Sequence, residues 1–140
     1  VIYKKWFGKY TIKRAQTVQK IISSSIPGRG CKTCFFTRGW ATNASLVASA
    51  YYNIGSDTVG ITLYEKFWSL PFSGMDSQLG TLIHEYSHGY NDTNDTTYGQ
   101  QNCVLLAKTN PDKAVANADN YQFFIEEQLG KISPPNIQLI

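Results

Sequence analysis

From Ser77 onward the apolar positions change their spacing. Leu79, Leu82, Ile83, Tyr86 and Tyr90 recur at intervals of three and four, which predicts a helix with one apolar face. Thr81, His84, Glu85 and His88 fall on the other face. Further upstream the period is two. Val59, Ile61 and Leu63 alternate with Gly60, Thr62 and Tyr64, as in a half-buried strand over 58–68. A second β-rich run, 45–54, precedes it across the turn "NIGSD", so the pair reads as an antiparallel hairpin. Near the front, Trp6, Tyr10, Val18, Ile21 and Ile22 share a stripe, which predicts one helix over 6–26, stopped by "PGRG" at 27–30. Two more helices are expected at 99–109 and 113–129, separated by "NPD" and ended by "SPPN". Between hairpin and histidine helix, 70–76 reads as a loop with Asp76 as the helix N-cap. The run 91–99 is too polar for a core helix and reads as a loop.

Composition narrows the class. The 140 residues suit one domain with one core, and 42% hydrophobic with 14% aromatic content excludes a disordered chain. A net charge of +3, from 13 basic and 10 acidic residues, is too mild to argue for nucleic acid. The early basic residues Lys4, Lys5, Lys9, Lys13, Arg14 and Lys20 are expected on solvated helix faces. No run is long and apolar enough to span a membrane. The chain starts at Val1 without a visible signal peptide, so a processed or excised single domain, 1–140, is expected. Cys31 and Cys34 have CxxC spacing, and Cys103 stands apart; a disulfide or simple thiols fit better than a structural zinc site, which lacks further ligands.

The chemistry concentrates in "HEYSH" (84–88), which holds both histidines of the chain. Positions i and i+4 are neighbours on a helix, so two imidazoles can reach one zinc ion. Glu85 can take a proton from the attacking water and deliver it to the leaving amine. Catalytic zinc takes three protein ligands and keeps one position open. No third histidine remains, and Asn91 and Asn94 stand where an extended HExxHxxGxxH motif would place glycine and histidine. The candidates are Asp92, Asp95, Asp119, Glu126, Glu127 and Cys103, with Asp95 favoured because a short loop can return it to the metal. Solvent-facing histidines, and Asx turns at the loop aspartates, are the plain alternatives.

HExxH followed by a loop with Asp and then Tyr-Gly resembles the aspzincins, the deuterolysin and peptidyl-Lys metalloendopeptidase group of zinc peptidases. Their loop reads roughly GTxDxxYG; this chain has "DTNDTTYG" (92–99), with Asp92 in the glycine's place. "WFGKY", "FW", "DSQLGTLIHEYSH", "YGQ" and "NPDKAVANADNYQFF" are similar to mushroom members, so the resemblance runs from Lys5 to Glu127. It implies His84, His88 and Asp95 as zinc ligands, Glu85 as general base, and Tyr98 as a hydroxyl donor to the oxyanion. It also implies a pocket for lysine on the amine side of the scissile bond (P1′). Lysine-selective members carry two acids there. Asp119 matches the first; Gln122 stands at the second and brings no charge, so a weaker preference is expected. A capping or loop-tying role is the other reading of Asp119. Members pair a cysteine before the hairpin with one on the strand leading to "FW". The run 58–68 has no cysteine, so Cys31 and Cys34 pair with each other, with Cys103, or not at all. Members also carry further residues before "WFG", so a smaller variant or a missing segment is expected.

The expected architecture is an α+β zincin-like domain with a small antiparallel sheet packed on helices and the HExxH helix walling a cleft. The expected function is zinc-dependent endopeptidase, with one catalytic Zn²⁺ and protein or peptide substrates. A substrate could pair with a strand edge, taken as 58–64. Secretion, a monomeric state, and a pro-segment or inhibitor as partner complete the expectation; a secreted toxin or effector is one setting. A silent zinc-bearing binding module and a hydrolase of non-peptide amides are the rivals. Sequons at Asn43, Asn91 and Asn94 read as polar composition rather than glycan sites.

Overall fold

Gly8 divides the first predicted helix in two. It adopts φ 74°, and a Cβ there would strike the Ala107 carbonyl oxygen. Helix α1 is therefore only Ile2–Phe7, and α2 (Ile12–Ser24) starts afresh at Thr11, whose hydroxyl accepts from the Arg14 amide. The turn buries both Trp6 and Phe7 completely, so the one stripe of the sequence serves two helices.

The computed structural model describes residues 1–25, 33–40, 43–91 and 93–131. The order is α1, α2, β1 (Thr33–Arg38), β2 (Ala48–Asn53), β3 (Thr58–Leu63), α3 (Glu65–Ser69), α4 (Gln78–Asn91), α5 (Gln100–Thr109), α6 (Pro111–Ala114) and α7 (Ala118–Gly130). The hairpin β2–β3 is antiparallel, with Ala50 opposite Ile61. It does not stand alone. Strand β1, which the sequence pattern did not reveal, pairs parallel to β3, with Phe36 opposite Ile61. The sheet is mixed, in the order β1-β3-β2, so β3 is central and the 58–64 run is not an edge. The predicted strand 58–68 ends at Leu63, and Glu65–Ser69 turns into helix. The predicted helix 113–129 likewise breaks between α6 and α7 around Asn117.

Two apolar clusters hold this frame together. Trp6, Phe7, Val18, Ile21, Cys103, Val115, Tyr121 and Phe123 form a helical core, in which Trp6 stacks on Phe123 at 5.4 Å between centroids. Ala48, Val59, Ile61, Leu63, Phe67 and Tyr86 form the second, between sheet and α4. Helix α4 joins them: Ile83 packs against the first cluster, Leu82 and Tyr86 against the second. The thiols of Cys34 and Cys103 are both free, so neither closes a disulfide; Cys103 is buried and accepts from Asn117 Nδ2 at 3.6 Å. Cys31 and Asp92 lie outside the described residues. No helix among the described residues is long and apolar enough to cross a membrane.

Candidate metal centre

Helix α4 begins one residue later than expected. Ser77 caps it: its hydroxyl accepts from the Gly80 amide at 3.0 Å. Glu126, buried on α7, adds a second cap from outside. Its carboxylate accepts from the amides of Asp76 and Ser77 at 3.1 and 2.9 Å and from the Ser77 hydroxyl at 2.8 Å. A carboxylate at a helix N-terminus also meets the positive end of the dipole. Burial pushes the Glu126 carboxyl up, against the pull of these donors.

Two turns on, the ring Nε2 atoms of His84 and His88 lie 3.0 Å apart. Asp95 Oδ1 lies 3.1 Å from each. Tetrahedral zinc with bonds of 2.0–2.1 Å spaces its ligand atoms about 3.3 Å apart, so this near-equilateral triangle fits one ion. The opposite ring nitrogens settle the tautomer. His84 Nδ1 donates to Asp119 Oδ1 at 2.6 Å, and His88 Nδ1 donates to the Thr93 carbonyl at 2.8 Å. Both Nε2 atoms then face the triangle, where a metal ion would displace any proton they hold. The alternative of solvent-facing histidines does not describe His84, which is 8% exposed and lies on a helix packed against α7.

The field at the triangle is negative. Burial opposes charge on His84, yet hydrogen bonds to Asp119 and Asp95 outweigh it and push the imidazole up to about 10. Burial would also raise Asp95, but bonds from His84, His88 and the Tyr98 hydroxyl hold its carboxyl well below the usual range. A site that holds a proton so firmly without metal offers the same negative field to a cation that displaces it. Glu85, next to the first histidine, is 5% exposed, and burial pushes its carboxyl up despite both imidazoles.

The loop after α4 returns Asp95 by a set of buried polar contacts that the sequence did not advertise. Ser87, fully buried within the motif, donates to the His84 carbonyl or shares a proton with Thr93 Oγ1, each at 2.7 Å. Asn117 is also fully buried. Its Oδ1 accepts from the amides of Thr96 and Thr97, and its Nδ2 donates to the Thr97 carbonyl. A short parallel bridge, Asn94 opposite Asn117, completes the clamp. Asn117 lies in the break between α6 and α7, as the residue before α7. The only sequence hint was the polar run "NADN" inside an otherwise helical stretch.

Asp119 belongs to the same clamp. Expected first as an acid of the substrate pocket, it gives one oxygen to His84 and accepts from the Gly99 amide at 2.8 Å with the other, contacts of the kind that its alternative, loop-tying reading describes. Tyr98, between the two, is 58% exposed and stacks on His84 at 6.3 Å. Gln122, 8% exposed, lies one turn along α7 and donates to Glu126 Oε1 at 3.4 Å. All of these but Glu126 line one cavity of about 1000 Å³, which is also lined by Ser45–Ala50, the run leading into β2.

An HExxH helix completed by an aspartate from the following loop, under a small mixed sheet, defines a zincin-like metal-binding domain. Residues 2–126 match the aspzincin family model, described as lysine-specific metallo-endopeptidase, and the chain belongs to that family. A solved zinc peptidase from Grifola frondosa superposes with a TM-score of 0.78 at 36% identity, over 91% of this chain and 77% of that one. A peptidyl-Lys metalloendopeptidase of Pleurotus ostreatus is 35% identical over 126 residues, spanning 89% of this chain and 72% of that protein. An extracellular protease of Aeromonas hydrophila is 35% identical over 136 residues, but this chain spans only 35% of its length. The chain likewise spans 35% of the peptidyl-Lys metalloendopeptidase of Grifola frondosa. Zinc is the metal of this family, and the donor triangle fits it.

Proposed function

We propose that this chain is a zinc-dependent endopeptidase, with His84, His88 and Asp95 as ligands, Glu85 as general base and Tyr98 as oxyanion donor. One observation carries the reading. Three donor atoms form a triangle with both imidazoles in the ligating tautomer, and Glu85 lies in the same cavity wall. Bound zinc supplies a Lewis acid for the scissile carbonyl and acidifies a water. Glu85 accepts the proton of the attacking water; its burial makes it a stronger base than an exposed glutamate. It then passes that proton to the departing amine. The Tyr98 hydroxyl donates to Asp95 in this structure and would turn its one hydrogen to the developing oxyanion.

The substrate backbone is assigned to β2. It is an edge strand whose first residues, Ala48–Ala50, line the cavity, whereas β3 is enclosed between its neighbours. A preference for lysine at P1′ rests on the acidic lining of the cavity and on the names of the relatives, with Gln122 weakening it. Secretion of this chain is in keeping with the extracellular relative.

Glu85→Gln separates the rivals. Cleavage of casein should fall by about 10²–10⁴-fold while zinc content, read by elemental analysis, stays at one ion. Full activity in this variant would refute the mechanism. A wild-type chain that binds zinc but cleaves no peptide, across a library read by mass spectrometry, would support a binding module instead.

A further inference from the structure

The acidic groups around the cavity are not equally available. Asp95 and Glu85 belong to the reaction centre. Both oxygens of Asp119 are engaged, one by His84 Nδ1 and one by the Gly99 amide. Glu126 is buried and spends its carboxylate on the start of α4. Gln122 is neutral, and its amide nitrogen points at Glu126. What remains is Asp76.

The sequence suggested that Asp76 caps α4, but Ser77 does that. Asp76 is exposed, lines the cavity, and among the described residues its carboxylate takes part in no hydrogen bond or ion pair. Its place is fixed through the main chain: the Asp76 amide donates to Glu126 Oε2, while Gln122 Nε2 donates to Oε1 of the same carboxylate. Asp76 and Gln122 therefore flank one end of the cavity. The negative charge of Asp76 is felt there, since it adds to the burial that raises Glu126. Its backbone sits at φ 54°, a left-handed conformation that side chains other than those of Asn, Asp and Gly resist. That conformation costs free energy and turns the residue away from helical geometry.

We infer that Asp76 is a specificity-determining residue, the free carboxylate that pairs with a cationic P1′ side chain at the end of the cavity where Gln122 supplies none. This deepens the lysine reading above and rests on it. Lys66 also lines the cavity, exposed on α3, and is the one described lysine that a cationic side chain would have to avoid.

The test compares two peptides that differ only at P1′, lysine against norleucine, its uncharged analogue without the terminal amino group. The wild-type chain should cleave the lysine peptide with the higher kcat/KM. In Asp76→Asn the lysine-to-norleucine ratio should drop about tenfold, and Asp76→Glu should restore part of it. Asp76→Gly removes the same carboxylate and suits the left-handed backbone, so it reads the same ratio if the asparagine variant fails to fold. A ratio unchanged by both removals, including one where both peptides lose activity in parallel, overturns the assignment while leaving the lysine reading intact. A wild-type ratio near one overturns the lysine reading and this assignment together.

Discussion

The reaction-centre helix meets the two halves of the molecule through two glycines, and they do different work. Gly80 faces α7, where an added Cβ would run into the Glu126 carboxylate and Gln122 Cγ. Gly89 faces the sheet, where it would run into the side chain of Val59. The first neighbour is polar and held by hydrogen bonds; the second is apolar and held only by packing. The same contrast runs through both halves. From α7 and the residue before it come Asn117, Asp119 and Glu126, buried polar groups that each fix one piece of the centre. From the sheet come Val59, Ile61 and Leu63, an apolar bed for α4, and Ala48–Ala50, which line the cavity. The helical half holds the donor groups by hydrogen bonds, and the sheet half supports α4 by packing.

The comparison can be broken in four ways, in descending size of effect. Removing zinc with a chelator should abolish cleavage and lower Tm, since an ion bound only by the folded state stabilises it. Hydrogen exchange should then rise most in Thr93–Gly99, tied to the helical half, and least in β3. Equal loosening of β3 would erase the distinction. Asp119→Asn comes next. It weakens the hold on His84, so zinc affinity in a chelator competition should fall about 10–100-fold. Unchanged affinity would mean that Asp119 does not orient the ligand.

The glycines give the direct contrast. Gly80→Ala should cost about 2–4 kcal/mol in urea unfolding, because Glu126 cannot yield without losing its caps. Gly89→Ala should cost less, about 1–2 kcal/mol, since Val59 can shift and alanine favours the helix. A reversed order would show that packing, not polar wiring, sets the tolerance of α4. The smallest effect belongs to Glu127, which bonds Lys5 Nζ at 2.8 Å and Trp6 Nε1 at 2.7 Å. The Lys5 bond, more than Trp6, holds its carboxyl below the ordinary glutamate value. A depressed folded pKa contributes stability above the unfolded value, lost as pH falls through the folded one. Glu127→Gln should therefore lower stability by less than about 1 kcal/mol at pH 7, a partly solvated pair being worth little. The two proteins should converge in acid. A gap that persists there would assign the effect to packing.

Much of the centre was legible in the residues. His84, Glu85 and His88 lie on one strip because helical spacing is local geometry, and Asp95 was the favoured partner among six candidates. The apolar strip Leu79, Leu82, Ile83 and Tyr86 likewise announced the helix. The supporting groups were not legible. Ser87, Thr93 and Asn117 are ordinary polar residues until burial makes their hydrogen bonds obligatory. Strand β1 escaped because its run, Thr33–Arg38, shows no alternation: five of its six residues are exposed at the sheet margin. Ser77 took the cap from Asp76 because Glu126, 49 residues away, pulls the start of the turn into place.

By itself, the sequence determined the metal-binding helix, the hairpin and the family, since each depends on neighbours a few residues apart or on motifs read in line. Tertiary structure alone decided which strand is central, which asparagine holds the ligand loop, and which carboxylates are occupied. The first depends on β1 returning to pair with β3, the others on what α7 brings to α4 and its loop, and a carboxylate already bonded to a histidine and an amide differs from a free one in no letter of the sequence. That is why Asp119 and Asp76, alike on paper, differ in their contacts here.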